Sequence, residues 1–269
     1  MPNISDRMTL ATNLYIELLK KSVSNYIYDD DLDLQRAEKI VEPGSGRYIS
    51  SGGAKAEPVG KFYGGIWPSR AHTMIGIPRL NNLQYCIEEI IKEQIPGDLI
   101  ETGVWRGGAT IFMRGVLKAH GVADRTVWVA DSFEGLPPSD PARYPKESDI
   151  EFNRFADLAV SLEEVRENFT RYDLLDDQVR FLKGWFRDTL PAAPIQSLAV
   201  MRLDGDMYES TMDALVHLYA KLSPGGFAII DDYNAVQSCN AAVDDFRRDN
   251  RITSTISPIA GAGAFWRKD

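Results

Sequence analysis

Two stripes of apolar residues at helical spacing precede residue 95. The first stripe predicts an amphipathic helix over about residues 9 to 22, and the second predicts a helix that Pro96 and Gly97 end. Between the stripes, the segment from Val41 to Gly65 is rich in Gly, Ser and charged residues, which predicts a mobile loop or lid. The stripes are Leu14, Tyr15, Leu18 and Leu19 in the first helix, and Leu80, Leu83, Ile87 and Ile90 in the second.

From Asp98 onward, short apolar runs alternate with helical stripes. Alternating strands and helices, with the strands apolar on both faces, predict a doubly wound and mostly parallel sheet. Ser161 and Glu164 form a capping box at the start of one of the helices. The five predicted strands lie in DLIETGV, TVWVADSF, QVRFLKGWF, SLAVMRLDGDM and GGFAIIDDY, and ITSTISP and GAGAFWRKD predict two closing strands.

The length favours one large α/β domain with an N-terminal addition over two equal domains. The chain has 269 residues. We therefore expect N-terminal helices and the lid loop in residues 1–95, and the sheet with its helices in residues 96–269.

Composition excludes several classes of protein. Lys and Arg number 30 against 39 Asp and Glu, and the net charge of -9 argues against a general nucleic-acid binder. No uncharged stretch is long enough for a membrane span. Cys86 and Cys239 form neither a disulfide framework nor a zinc motif, and the N-terminus shows no secretory signal, so we expect a cytoplasmic protein.

The junction after the first core strand reads Glu101-Thr-Gly-Val-Trp-Arg-Gly-Gly108. Gly103 permits a tight turn, and Asp131 ends the next strand, where nucleotide-binding folds place the acid that contacts a ribose. The same glycines would also serve a plain structural turn, and Asp131 and Ser132 could cap a turn locally. Taken together, the two features favour a nucleoside-type ligand.

Two later strands end in pairs of carboxylates. Asp204 and Asp206 follow one strand, and Asp231 and Asp232 follow the next. On adjacent parallel strands these side chains converge, and a cluster of carboxylate oxygens favours Mg²⁺. The alternative is a solvated turn at Asp231 and a helix cap at Asp206.

Other catalytic motifs are absent from the sequence. The three histidines are scattered and form no HExxH motif, so a zinc hydrolase is not indicated. There is no GxSxG elbow and no GxxxxGK[ST] loop.

Several segments together resemble the macrocin O-methyltransferase family, whose members transfer a methyl group from S-adenosylmethionine to sugar hydroxyls on macrolide and aminocoumarin antibiotics. The resemblance runs from about Leu14 to Trp266. It is interrupted between Val41 and Gly65 and around Pro137 to Phe152, the regions that by analogy shape the acceptor pocket. The matching segments are AHTMIGIPRLNNLQ, LIETGVWRGGATIFMRG, RTVWVADSFEGLP, LLDDQVRFLKGWFRDTLP, LAVMRLDGDMYESTMDAL and PGGFAIIDDY.

The resemblance implies a Rossmann-like class I methyltransferase fold with an N-terminal helical extension, and it implies both S-adenosylmethionine and Mg²⁺. It assigns Asp206 as the base and the metal to Asp204, Asp231 and Asp232. The residues it implies for S-adenosylmethionine are Thr73, Met74, Glu101, Thr102, Gly103, Arg106, Gly107, Asp131, Ser132, Gly184 and Trp185.

The acceptor implied is a hydroxyl of a sugar, such as a deoxysugar, on a small glycosylated natural product. A catechol or phenol O-methyltransferase with the same metal site is one alternative, and a non-catalytic S-adenosylmethionine-binding protein is another. Apolar stripes on the N-terminal helices suggest a homodimer or a higher oligomer. Neither a nucleic acid nor a membrane is an expected partner.

Overall fold

The computed structural model describes residues 4–147 and 151–269. Helices and strands are numbered separately in chain order. The N-terminal part contains α1 (Ile4–Val23), β1 (Leu32–Asp33), β2 (Glu38–Val41), β3 (Tyr48–Ser51), β4 (Ala54–Lys55), α2 (Pro58–Tyr63) and α3 (Gly76–Lys92). The remainder contains β5 (Asp98–Thr102), α4 (Gly108–Ala119), β6 (Val127–Asp131), α5 (Leu162–Arg171), β7 (Val179–Lys183), α6 (Phe186–Thr189), β8 (Leu198–Leu203), α7 (Tyr208–Leu218), β9 (Leu222–Ile230), α8 (Gln237–Asp249), β10 (Ser257–Pro258) and β11 (Ala264–Arg267).

Seven strands form the central sheet in the order β10-β11-β9-β8-β5-β6-β7. The five strands from β5 to β9 are parallel, whereas β11 pairs antiparallel with both β9 and β10. The predicted doubly wound, mostly parallel sheet is therefore confirmed, together with its two closing strands. The chain leaves β5 toward β6 and later returns to β8 on the other side, so the topological switch point lies between β5 and β8.

Helices cover both faces of the sheet, and neighbouring strand residues point to opposite cores. On β5, Leu99 packs in the core beneath α1, α3, α4 and α5, whereas Ile100 packs in the core beneath α7 and α8. Both side chains are fully buried. This alternation is what the side-chain period of a strand requires when the sheet is covered on both sides.

Helix α1 packs against α4 through a close approach. A Cβ at Gly115 of α4 would lie 2.2 Å from the Leu19 side chain, so glycine leaves the space that α1 occupies. The predicted helix is present and begins earlier, at Ile4. The predicted stripe is only partly buried, because Leu14 and Leu18 are exposed while Ile16 and Leu19 enter the core.

The segment from Val41 to Gly65 is not the open loop that its composition predicts. Strand β3 pairs with β2, β4 pairs with β1, and α2 follows. The β2–β3 hairpin is attached to the core, since Lys39 pairs with Asp157 at 3.3 Å and Arg47 donates to the carbonyl of Glu134 at 2.9 Å. Strand pairing and these two contacts stabilise the segment where local apolar content is low. Its role as a lid stays a prediction.

Three further observations concern the described residues. Helix α8, between β9 and β10, was not among the predicted elements, although it buries Val243 and Phe246 against the sheet. No helix in the described ranges combines the length and the apolar character that crossing a bilayer requires. Cys86 and Cys239 are both buried free thiols.

Candidate active site

A cavity of about 600 Å³ opens at the carboxyl ends of β5, β6, β8 and β9. Its position at the switch point of the sheet is where doubly wound folds bind ligands. Eleven of the residues selected from the sequence line it: Thr73, Met74, Glu101, Gly103, Asp131, Ser132, Trp185, Asp204, Asp206, Asp231 and Asp232. The other four do not line it: Thr102 ends β5, Arg106 and Gly107 lie in the turn that follows, and Gly184 follows β7.

Glycine is required in the turn after β5 for a steric reason. Gly103 has φ 83°, and a Cβ at this position would lie 1.7 Å from the carbonyl oxygen of Asp204. At Gly108 a Cβ would lie 2.4 Å from the carbonyl of His72, which instead accepts a hydrogen bond from the Gly108 amide at 2.8 Å. The turn is thereby held between the end of β8 and the segment that carries Thr73 into the cavity.

Asp131 stabilises this turn as well as facing the cavity. Its carboxylate accepts hydrogen bonds from the amides of Val104 and Phe133, each at 2.7 Å. Burial raises the pKa of Asp131, whereas these amides oppose the rise. Asp131 therefore caps the turn locally, which was the alternative predicted from the sequence. Contact between Asp131 and a ribose stays a prediction.

Glu101 is a buried carboxylate with one unused oxygen. Its Oε1 pairs with the guanidinium of Arg202, while Oε2 has no hydrogen-bond partner among the described residues. Burial raises the pKa of Glu101 to about 8, against the opposing effect of the Arg202 charge. A buried oxygen that lacks a donor is destabilising, so this position suits a ligand that brings one.

Three carboxylates converge at the ends of β8 and β9. One oxygen each from Asp204, Asp206 and Asp232 lies within 4.8 Å of the others. The pKa of Asp206 is raised to about 8, first by burial and then by the charges of Asp204 and Asp231. Burial first, and then the charges of Asp206, Asp204 and Asp231, raise the pKa of Asp232 well above its usual value. Its Oδ2 has no partner among the described residues. The arrangement offers hard oxygen ligands in a region that disfavours their charge, and a divalent cation such as Mg²⁺ fits both properties.

Asp231 lies beside this cluster but is bound differently. Its two oxygens pair with the guanidinium groups of Arg79 and Arg202, all of them buried. The structure thus groups Asp206 with Asp204 and Asp232, while Asp231 joins the cluster to the two arginines. The contact between Asp231 and a metal ion stays a prediction.

Neither Arg79 nor Arg202 is among the site residues predicted from the sequence. Arg202 interrupts the apolar run of β8, and an inward-facing charge in a buried strand is a signal that could have identified it. Arg202 also pairs with Asp204 at 2.9 Å. Three carboxylates pair with these two guanidinium groups, and two more line the same cavity. When fully ionised, the described cluster therefore carries three uncompensated negative charges: Glu101, Asp204, Asp206, Asp231 and Asp232 against Arg79 and Arg202.

The four selected residues off the cavity surface have structural contacts in the described chain. Arg106 donates to the carbonyls of Pro68 and Ala71 at 2.9 and 3.0 Å. Thr102 is fully buried, and Gly107 caps α4 with φ 84°. The amide of Gly184 donates to the Asp131 carbonyl at 2.9 Å, which places the following Trp185 at the cavity.

Part of the cavity lining is apolar. Aromatic side chains come from the N-terminal part and from the segment before α5, together with aliphatic residues. These residues are Tyr63, Trp67, Leu136, Phe152, Leu158 and Val236.

A mostly parallel seven-stranded sheet, with a glycine turn after its central strand and an acid at the end of the neighbouring strand, defines a Rossmann-like class I methyltransferase. The chain belongs to the macrocin O-methyltransferase family, since the profile described as "Macrocin-O-methyltransferase (TylF)" matches residues 12–268. It is an S-adenosylmethionine-dependent O-methyltransferase, as the resemblance in the sequence predicted.

Curated relatives are similar along nearly their whole length. An 8-demethyl-8-(2,3-dimethoxy-alpha-L-rhamnosyl)-tetracenomycin-C 4'-O-methyltransferase of Streptomyces olivaceus is 52% identical over 96% of this chain and 93% of the relative. A mycinamicin III 3''-O-methyltransferase of Micromonospora griseorubida is 50% identical over 96% of this chain and 97% of the relative.

Solved structures agree with the fold. The O-methyltransferase NovP superposes with a TM-score of 0.86 at 46% identity, covering 96% of this chain and 99% of NovP. The calicheamicin methyltransferase CalS11 superposes with a TM-score of 0.54 at 17% identity, over 70% of this chain and 79% of CalS11, and shows the shared fold alone.

Proposed function

We propose that this enzyme methylates a hydroxyl of a sugar, such as a deoxysugar, attached to a natural product, in an antibiotic pathway or a similar one, and that it requires Mg²⁺. The observation that carries the proposal is the group of oxygens from Asp204, Asp206 and Asp232 inside the cavity. The relatives support the acceptor class, because they are named for a rhamnosyl tetracenomycin, for mycinamicin III and for demethyldecarbamoylnovobiocin.

The methyl donor is proposed to lie over the turn after β5. The free Oε2 of Glu101 would accept from the donor's amino group, and Asp131 and Ser132 would face its ribose. Thr73, Met74 and Trp185 would contact the donor from the other walls of the cavity. The positive sulfonium suits this position, since the neighbouring carboxylates outnumber the guanidinium groups.

The charge of the cavity favours a neutral acceptor over a nucleotide-activated sugar. Among the described residues that line it, Arg79 is the single basic one, and its guanidinium is already bound to Asp231 and to the carbonyls of Ile75 and Gly64. A diphosphate would therefore enter an acidic cavity without a free cationic partner. A sugar already joined to an uncharged aglycone brings no negative charge into this cavity and could contact its apolar lining.

The donor set fits Mg²⁺, because oxygens of three carboxylates converge and Asp232 has an oxygen without a hydrogen-bond partner in the described protein. The residues that would hold the ion are Asp204 and Asp232, with Asp231 as the further ligand that the family resemblance implies. When bound, the ion would lower the pKa of a hydroxyl in the site and offset the mutual repulsion of the carboxylates.

Asp206 is proposed as the base. Its carboxylate would accept the proton of the acceptor hydroxyl while the hydroxyl oxygen attacks the methyl carbon of the donor. The new C–O bond forms as the C–S bond breaks, and the electron pair of that bond stays on sulfur in S-adenosylhomocysteine. The protein's main contribution is to hold the two reactants in line in a site with little water.

A catechol or phenol acceptor is the nearer rival, because a vicinal aromatic diol would fit the same carboxylates. Tyr63 and Trp67 line the cavity and would stack on a ring or on a sugar alike.

We further propose that the enzyme is cytoplasmic, which its free thiols support. We also propose that it forms a homodimer or a higher oligomer, which the exposed Leu14 and Leu18 of α1 support. The division at residue 95 also stays a proposal.

A methylation screen tests the proposed acceptor. The purified chain is incubated with S-adenosylmethionine carrying a tritiated methyl group, with and without Mg²⁺. The acceptors are a set of glycosylated macrolides, polyketides and aminocoumarins, a set of nucleotide-activated sugars, and a set of catechols. We expect Mg²⁺-dependent transfer to at least one glycoside. Transfer to catechols or to nucleotide-activated sugars, with none to any glycoside, would refute the proposal.

A further inference from the structure

The proposed base has an unusual backbone. Asp206 has φ 55°, in the left-handed region that is disfavoured for residues other than glycine. It lies between Gly205 and the start of α7 at Tyr208. A residue held in this conformation keeps it only when its surroundings impose it, and such residues concentrate at functional sites.

The surroundings supply a hydrogen bond from another element. The hydroxyl of Ser238 donates to the main-chain carbonyl of Asp206 at 3.1 Å. Ser238 lies in the first turn of α8 and is only 2% exposed, so solvent offers its hydroxyl little competition. The contact joins the peptide of the proposed base to a helix that starts after β9.

The same helix starts from the other carboxylate pair. The amides of Ala235 and Val236 donate to the carbonyl of Asp232 at 3.0 and 2.9 Å, which fixes the short turn between Asp232 and α8. Ser238 and Asp232 therefore belong to one segment, whose turn is held by these backbone hydrogen bonds. Asp206 meets this segment at both points, through its carbonyl at Ser238 and through its carboxylate near Asp232.

We propose that Ser238 is a positioning residue, which fixes the left-handed backbone of Asp206 and thereby sets its carboxylate relative to Asp232. The inference rests on the proposed function, in which Asp206 is the base. Ser238 does not line the cavity, and its effect passes through the Asp206 peptide. Loss of the hydroxyl leaves that carbonyl without this donor, so the backbone can relax and move the carboxylate away from the acceptor oxygen.

The first test is Ser238→Ala, measured by steady-state kinetics on an acceptor found in the screen. We expect kcat to fall about 10- to 100-fold, because small displacements of a catalytic group cost that much. The KM values for donor and acceptor should stay nearly constant, because Ser238 touches neither. Ser238→Thr keeps the hydroxyl and should recover most of kcat, whereas Ser238→Cys, with a weak donor, should resemble Ser238→Ala and serves in its place if the alanine variant does not fold.

Ser223 provides a matched control. It is also buried, at 8% exposure, and its hydroxyl donates to the main-chain carbonyl of Pro96 at 2.7 Å, at the opposite end of the sheet. Ser223→Ala removes a comparable hydrogen bond, so its melting temperature should fall about as much as that of Ser238→Ala. Its kcat should not change. Equal losses of kcat in the two variants would attribute the effect to general stability and overturn the inference.

A double-substitution cycle separates this inference from the proposed function. In the Asp206→Asn background, whose slow turnover a tritiated donor still reveals, Ser238→Ala should lower the rate by less than about twofold, because residues that act as one unit are not additive. The same 10- to 100-fold loss there would show that Ser238 acts on something else. Full activity of Asp206→Asn alone would remove the base role, and with it the proposed mechanism, whatever Ser238 does.

Discussion

Asp231 and Arg202 form a buried ion pair at the carboxyl ends of two adjacent strands, β9 and β8. Arg202 reaches Glu101 on β5 with the same guanidinium, and Arg79 approaches Asp231 from α3. The carboxylate of Asp231 therefore contacts two buried guanidinium groups, and it is the single carboxylate that pairs with Arg79 among the described residues. Its first role in the described structure is to give these buried guanidinium groups a counter-charge at the cavity wall.

Asp231→Asn should destabilise the fold. It removes the carboxylate that pairs with the buried Arg79, which has no other ion pair among those described, and removing one partner of a buried ion pair costs about 3–5 kcal/mol. Urea denaturation of the Asp231→Asn variant and of the unsubstituted protein measures the loss in free energy of unfolding. Asp176→Asn is the control, since Asp176 pairs with Arg114 but is 38% exposed, and a loss of about 1 kcal/mol is expected there. Equal losses in both variants would contradict the charge-balancing role.

Asp232→Asn should weaken metal binding without destabilising the fold. Asp232 has an unpartnered oxygen and no ion pair among those described, so its substitution relieves repulsion rather than exposing a buried arginine. We expect the folded chain to keep its melting temperature or gain a little, while its affinity for Mn²⁺, used as a spectroscopic substitute, falls by on the order of 100-fold. Unchanged Mn²⁺ binding would remove Asp232 from the proposed metal site.

Removal of divalent cations should stop turnover. Dialysis against EDTA is expected to lower kcat by on the order of 100-fold or more, and added Mg²⁺ should restore it, because a hydroxyl of a sugar ionises far above neutral pH without assistance. Ca²⁺, which binds at longer distances and with more flexible geometry, should restore less. Turnover at the full rate in EDTA would overturn the metal proposal.

Asp206→Asn should lose most turnover without losing the donor. A well-placed base contributes about 10²- to 10⁴-fold, so kcat should fall within that range. Binding of S-adenosylhomocysteine, measured by calorimetry, should change little, because the amide keeps the volume of the side chain. An Asn variant with the kcat of the unsubstituted chain would exclude Asp206 as the base.

Acidification should destabilise the protein through His72. Its ring nitrogen Nδ1 lies 2.8 Å from the Tyr172 hydroxyl, and burial first, then the charges of Arg171 and Arg106, lower its pKa from 6.5 to about 4. Between these values the unfolded chain binds the proton and the folded chain does not, so the free energy of unfolding falls as the pH drops from 6.5 toward 4. Urea denaturation across this range measures the fall, and His72→Gln should reduce its slope. An identical slope in both chains would contradict the prediction.

The sequence predicts the core of the fold well because its signals are local. The apolar runs around Leu99 and Val200 need a sheet covered on both faces, and Ser161 caps α5 through the Glu164 amide at 3.1 Å, as predicted. The turn at Gly103 is also predicted from a local signal, because it needs a positive φ that glycine adopts easily.

What the sequence does not predict depends on contacts between distant segments. Arg79 and Asp231 are 152 positions apart, and no periodicity relates them. Lys39 holds the β2–β3 hairpin to Asp157 across 118 positions, so a segment that composition describes as a loop forms strands. Helix α8 follows an acidic turn and has few apolar residues, and its packing on the sheet determines its structure.

This O-methyltransferase is proposed to modify a sugar hydroxyl on a glycosylated natural product. The most direct measurement is tandem mass spectrometry of the product formed from a glycoside acceptor, S-adenosylmethionine and Mg²⁺. We predict a single added methyl group on the sugar fragment, and none when Mg²⁺ is removed. A methyl group on the aglycone, or equal methylation of the aglycone after its sugar is removed, would contradict the claim.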